Sequence, residues 1–225
     1  MWAFTGCFVG SLLTVPSVAV AVDEFVGRNG ISTLGGNLAA ILATLSLEIV
    51  SVNWTHPTVG IRRAVAGRIV VVGCVMAALT WEFHLTNVTS FELASASPDS
   101  AEVAGYMLTH LCYLTVAATV ITLRYAALAR AAWPRRRVAA AGLAVTAVGT
   151  LSGVAYAVTR AGTAIAHLAE NDWPSMMDTH IVPTVGALAT LFITVGLSLP
   201  MIGQRVVLPL RRWVAAGKSK QTARS

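Results

Sequence analysis

Residues 103–137 read VAGYMLTHLCYLTVAATVITLRYAALARAAWPRRR. The first 21 of them, 103–123, contain no Asp, Glu, Lys or Arg, and the 14 that follow contain five arginines. A helix needs about 20 mainly apolar residues to cross a hydrocarbon core roughly 30 Å thick. The uncharged run meets that length. It is too long for a barrel strand and lacks a barrel strand's alternation. It therefore predicts a spanning helix that ends in a basic turn, Arg124, Arg130, Arg135, Arg136 and Arg137, of the kind that stays on the cytoplasmic side.

The same alternation extends in both directions. Further apolar runs cover residues 2–22, 34–54, 69–83 (lengthened by residues from 64 onward), 138–158 and 181–202. The loop after the first run is weakly acidic, with Asp23, Glu24 and Arg28. The next carries Arg62, Arg63 and Arg68. The third carries Glu92, Asp99 and Glu102 with no Lys or Arg, and the fifth Glu170, Asp172 and Asp178. The tail holds Arg205, Arg211, Arg212, Lys218, Lys220 and Arg224. Placing every basic loop inside gives an all-α, polytopic transmembrane helix bundle of about six spans with both termini cytoplasmic. Residues 1–202 form the bundle and 203–225 a basic cytoplasmic tail. Trp54, Trp81, Trp133 and Trp173 fall near span ends, where an aromatic belt places them.

Composition agrees. Of 225 residues 56% are hydrophobic and only 12% charged, about half the charge of a soluble domain. Mean hydropathy is +0.70. The net charge of +6 marks span flanks and orientation, not a nucleic-acid surface. Fourteen Arg against two Lys, with abundant Ala, Val and Gly, suits a GC-rich bacterial genome, and so a bacterial plasma membrane. Cys7, Cys74 and Cys112 lie inside apolar runs, match no metal spacing and read as small buried residues. The partners implied are the bilayer itself, anionic headgroups at the basic loops and at Arg211, Arg212 and Trp213, and either a second copy of the chain or a cytoplasmic protein.

Polar residues inside spans are expensive and point to function. Glu48 stands out, with Asn37, Thr44 and Ser51 on the same helical face. It reads either as a proton- or cation-handling carboxylate or as a structural one, bonded to a neighbouring helix or to the basic second loop. His110 shares a face with Tyr106 and Tyr113 in the outer half of its span. Glu82, His84, His167 and His180 fall on the same side of the membrane. Imidazole and carboxylate are competent metal ligands, with Glu82, His84 and His180 the candidates, yet their spacing follows no metal motif. In the fifth span Gly142, Gly149 and Gly153 form a small-residue seam that Tyr156 and Arg160 continue toward the outside. Gly6 and Gly10 form a second such element. In the last span Thr190, Thr194 and Ser198 share one face and serve as a polar lining or as helix glue.

No span contains Lys, and no phosphate-binding Gly-Lys-Ser/Thr motif, nucleophile elbow or zinc helix is present. No cofactor pattern and no catalytic constellation emerges. Several positions carry a family resemblance: Leu123, Arg124 and Tyr125 ending a span, the basic turn 134–137, the helix 142–160 with Gly149, Gly153 and Tyr156, and 195–200 (VGLSLP) closing the last span. Residues 13–16 (LTVP) and 54–57 (WTHP) fit as well. In these the chain resembles the actinobacterial multi-pass membrane proteins regarded as transporters of unassigned substrate. The resemblance implies a seven-helix membrane module, often followed by a soluble domain of unknown function. Its first helix is not matched here, and the chain stops soon after residues 208–213. It carries over no site residue. The expectation is a transporter of a small solute or ion through Glu48, Thr44, Asn37, His110, Tyr156 and Arg160. The alternative is a membrane sensor or scaffold that engages a cytoplasmic partner.

Overall fold

The computed structural model describes residues 2–13, 15–55, 58–85, 101–169 and 180–202. They form seven helices: α1 (Trp2–Leu13), α2 (Pro16–Val26), α3 (Ile31–Thr55), α4 (Thr58–Leu85), α5 (Ala101–Ala132), α6 (Arg137–Leu168) and α7 (Val182–Ile202). No strand occurs among the described residues. Five helices are long and apolar enough to cross a membrane, over Ile31–Asn53, Gly60–Leu85, Glu102–Ala132, Arg137–Leu168 and Val182–Leu199. α5 and α6, at 32 residues each, rise about 48 Å, so their ends project beyond the hydrocarbon core. α4 starts at Thr58, which supplies the length that residues 69–83 lack alone.

The first apolar run differs from a single span. It is divided into α1, of 12 residues, and α2, of 11. The cause is Pro16 at the start of α2, which has no N–H to give a continuing helix. Proline also drives the residue before it out of the helical region, and Val15 is extended, at φ −74° and ψ 120°. α1 lies along α3, where Gly10 and Gly36 allow a close approach. A methyl on Gly10 would sit 3.6 Å from both Ala39 Cβ and the Gly36 carbonyl.

Asp23, expected in an outer loop, is instead buried in the last turns of α2. Its two carboxylate oxygens accept the backbone N–H groups of Gly30 (2.9 Å) and Ser32 (2.8 Å) at the start of α3. These amides begin a helix and have no partner within it. Gly27, in the left-handed region at φ 71°, and Gly30, at φ 78°, let the chain reverse between the two helices. Asp23→Ala strips the cap. The expected result is a loss of about 1–2 kcal/mol and faster hydrogen exchange at the Gly30 and Ser32 amides. Unchanged exchange would show that the cap lies elsewhere.

The helices pack in an extended order: α1 and α2 on α3, α3 with α4 and α5, α5 on α6, and α6 on α7. Side-chain pairs run α3 and α5 parallel, with α4 antiparallel between their ends. Leu34, Ile41, Leu79, Phe83 and Tyr106 fill one core. Leu47, Ile121, Tyr125, Leu143 and Ala147 fill a second. Many other apolar side chains face outward: Val70, Val116 and Leu123 are 64%, 65% and 67% exposed. Such a surface is stable only in lipid. The chain is a multi-pass integral membrane protein.

Lipid as solvent also corrects the reading of the cysteines. Cys74 and Cys112 are exposed on helix faces and not buried, because an apolar residue here has two apolar places to go. The side chain of Cys7 lies outside the described residues. Trp81 and Trp133 are exposed near the ends of α4 and α5, as a belt requires. The Trp54 side chain, Trp173, the acidic residues Glu92, Asp99, Glu170, Asp172 and Asp178, and the basic tail 203–225 lie outside the described residues.

Candidate functional site: a polar seam between α3 and α5

On α3, Asn37, Thr44 and Ser51 recur every seven residues and so fall on one face. On α5, Tyr106, His110 and Tyr113 do the same at spacings of four and three. The structure sets these two stripes against each other. Asn37 Nδ2 donates to the Tyr106 hydroxyl at 2.8 Å. One level further, Thr44 Oγ1 and the Tyr113 hydroxyl meet at 3.3 Å. At the third level Arg124 Nη1 donates to Ser51 Oγ at 3.4 Å, and Ser51 Oγ donates to the Glu48 carbonyl at 2.7 Å. Tyr125 adds a long bond from its hydroxyl to the Leu47 carbonyl, 3.4 Å. From Asn37 to Ser51 the helix rises about 21 Å, most of a hydrocarbon core. In lipid each of these groups needs a partner, and the facing helix supplies it.

The basic end of the seam is closed by charge. Arg68 belongs to α4, not to a loop. Its Nε lies 2.9 Å from Glu48 Oε2, with both side chains mostly buried. The Nε–H is not aimed along this contact, so the contact is an ion pair without a linear hydrogen bond. Arg68 Nη1 donates to the Ala64 carbonyl at 2.8 Å. Arg124 from α5 lies within electrostatic reach of both Glu48 and Arg68. One carboxylate thus faces two guanidinium groups from different helices.

At the opposite end Glu82 of α4 accepts a hydrogen bond from Thr109 of α5 (2.9 Å) through Oε1. Its other oxygen, Oε2, and the Nδ1 of buried His110 are enclosed with no hydrogen-bond partner among the described residues. Such atoms are rare in folded proteins and call for an explanation. Arg28 closes the outside of this region. Its Nη1 is 2.8 Å from His84 Nδ1, its Nη2 donates to the Phe83 carbonyl at 3.3 Å, and its guanidinium lies 4.5 Å over the Phe83 ring. A cation there also suits the C-terminal end of α4. His84, a metal candidate by its sequence position, therefore faces a guanidinium. His180 is exposed just before α7. Among the described residues no three His, Cys, Asp or Glu side chains converge.

Tyr156 belongs to a different interface. Its ring lies over Gly186 of α7, where an added methyl would come within 3.3 Å of it. Arg160, one turn on, is half-buried and engaged with its surroundings. Deeper in the same interface Gly149 meets the α7 backbone, and Gly196 meets the α6 backbone. The hydroxyls of Thr190, Thr194 and Ser198 donate backward to the carbonyls of Gly186, Thr190 and Thr194. They are satisfied within their own helix.

Sequence reasoning finds both stripes, Asn37, Thr44 and Ser51 on one helix and Tyr106, His110 and Tyr113 on the other, but not their pairing, and it misses several partners. In the sequence Arg124 reads only as a flanking charge, and Asp23 and Arg28 only as loop residues. A signal for Arg124 is nevertheless present: it stands eleven residues beyond Tyr113, three helical turns, which returns it to the tyrosine face. Asp23 and Arg28 carry no such signal. No protein-family model, curated protein or solved structure matches the chain.

Proposed function

We propose that this membrane protein moves a proton or another small ion along the seam between α3 and α5, in a bacterial cytoplasmic membrane with the basic end inside. The observation that carries the proposal is the ladder of side-chain pairs at three successive levels, Asn37 with Tyr106, Thr44 with Tyr113 and Ser51 with Arg124. Hydroxyl, imidazole and carboxylate groups can each give and take a proton, and two of them, Glu82 and His110, carry buried atoms beside the ladder that no described residue bonds. Intramembrane ionisable groups of this kind mark ion and proton pathways. Glu48 then acts as the gate at the basic end, held by Arg68 until a proton or ion competes for it. The reading runs in the same direction as the resemblance to transporters of unassigned substrate.

The test is flux. Vesicles containing the full chain and a pH-sensitive dye are given a pH step or a cation gradient. Wild-type protein is expected to dissipate the gradient. Glu48→Gln keeps an oxygen for Arg68, so the fold is retained, yet flux should drop at least tenfold. Tyr113→Phe, which removes one rung, should lower flux by a smaller factor. Wild-type vesicles no leakier than empty ones, or full flux in Glu48→Gln, would reduce the seam to helix glue.

A further inference from the structure

We infer that the lipid-facing groove between α5 and α6 is a binding site for one acyl chain of an anionic phospholipid, whose phosphate is held by Arg130. The groove encloses about 550 Å³ and is lined by the second half of α5 and the first half of α6, from Thr122 and Leu151 at one end to Arg130 and Trp133 at the other. Its walls are almost wholly carbon, including Ala126 and Val148. The hydroxyl of Thr122 is already used by the Ala118 carbonyl and by Thr150. That leaves the guanidinium of Arg130 as the polar group at the mouth.

Three observations choose the occupant. Length is the first. Trp133 lies eleven residues beyond Thr122, a rise of about 16 Å, and one leaflet of a roughly 30 Å core is about 15 Å deep. The groove thus has the extent of one chain in one leaflet, and it runs toward the basic end of α5. Charge is the second. Arg130 is exposed, and Arg135, Arg136 and Arg137 follow within the next turns, all exposed. Glu48, the carboxylate at this end of the seam, is engaged with Arg68 on another face. An anionic headgroup is complementary to this cluster, whereas a choline would set its own positive charge against it. Basic pockets between membrane helices on the cytoplasmic side bind anionic lipid by this chemistry. The third is Trp133, 55% exposed beside Arg130, where an indole marks the headgroup level.

The site is independent of the ion pathway, because no residue of the α3–α5 ladder lines it. The experiment is native mass spectrometry of the full chain released from mild detergent, with phosphatidylglycerol and phosphatidylcholine offered in equal amounts. Wild-type protein is expected to retain one phosphatidylglycerol, at least fivefold over phosphatidylcholine. Arg130→Gln should abolish the preference. Val148→Trp, which fills the groove from an exposed position and leaves the helix contacts intact, should abolish retention of both lipids. Equal retention of the two lipids by wild type, or undiminished retention by Val148→Trp, overturns the proposal. So does a wild-type dimer that Val148→Trp converts to monomer with lipid retention unchanged, since a second copy would then occupy the groove. Flux measured on the same variants separates the two proposals: loss of lipid preference with flux retained, or the reverse, leaves one standing without the other.

Discussion

Gly196→Ala is expected to separate α7 from α6. The added methyl would overlap Thr146 and lie 2.7 Å from the Gly142 carbonyl oxygen. Two of the three obstructing atoms are backbone, the Thr146 nitrogen and that carbonyl, so no rotamer change relieves them. Gly149→Ala meets the same obstacle from the other helix, at 2.7 Å from the Ile193 nitrogen and 3.0 Å from the Ala189 carbonyl. Overpacking a tight contact costs about 1–3 kcal/mol, and the upper end applies where backbone must move. Gly153→Ala is the control. A methyl there has nothing within 4 Å, and replacing a helical glycine by alanine gains about 0.5–1 kcal/mol. Thermal unfolding in mild detergent should therefore place Gly196→Ala and Gly149→Ala well below wild type and Gly153→Ala at or above it. Adding Thr146→Ala to Gly196→Ala removes only one of the three obstructing atoms, the Thr146 hydroxyl oxygen, and should restore little. Equal melting of all three glycine variants would mean that α6 and α7 are not held by close backbone approach.

This contrast shows where sequence reading stops. The spacing of Gly149 and Gly153 marks a packing seam and places Tyr156 on it; Gly149 and Tyr156 do meet α7, whereas a methyl on Gly153 has nothing within 4 Å. It does not tell which glycine sits at the crossing, because that depends on the angle and register of the next helix. Gly196 reads only as part of a family-like closing segment. Hydropathy and loop charge locate the five long spans, since both are summed over a whole span and survive local error. The division of residues 2–22 into α1 and α2 is written in Pro16, yet a sum over the window passes across a single proline. Asp23 does not read as a cap, because its partners are backbone amides that any sequence would offer. The cysteines mislead for another reason: in a membrane an apolar residue is as stable against lipid as against protein, so hydrophobicity no longer reports burial. Within the seam, Asn37, Thr44 and Ser51 are legible by their period of seven. Their partners on α5 are legible as a second stripe. The pairing of one stripe with the other is a tertiary fact, set by α3 and α5 running parallel with α4 between their ends.

Glu48→Ala should be the most damaging change in the seam, and most of its cost should vanish when Arg68 is removed as well. The single variant leaves Arg68 facing Arg124 with no carboxylate between them. Breaking one side of a buried ion pair costs about 3–5 kcal/mol in general. Here the side chains of Arg68 and Glu48 are 20% and 14% exposed, so about 2–3 kcal/mol is the reasonable expectation. Arg68→Ala should cost less. It leaves Glu48 within reach of Arg124, a second cation from a different helix. In Glu48→Ala/Arg68→Ala neither charge is stranded, and the remaining Arg124 keeps its bond to Ser51. A double-mutant cycle read by unfolding in mixed micelles should thus give a favourable coupling of roughly 1–3 kcal/mol. Restoring the pair with its ends exchanged, Glu48→Arg with Arg68→Glu, should recover only part of the stability, because the guanidinium introduced on α3 would face Arg124 directly. Full recovery by the exchange would mean that Arg124 takes no part. Additive losses in the cycle would mean that Glu48 and Arg68 stabilise the bundle separately, and the carboxylate would then have no cation to release when an ion arrives at the basic end.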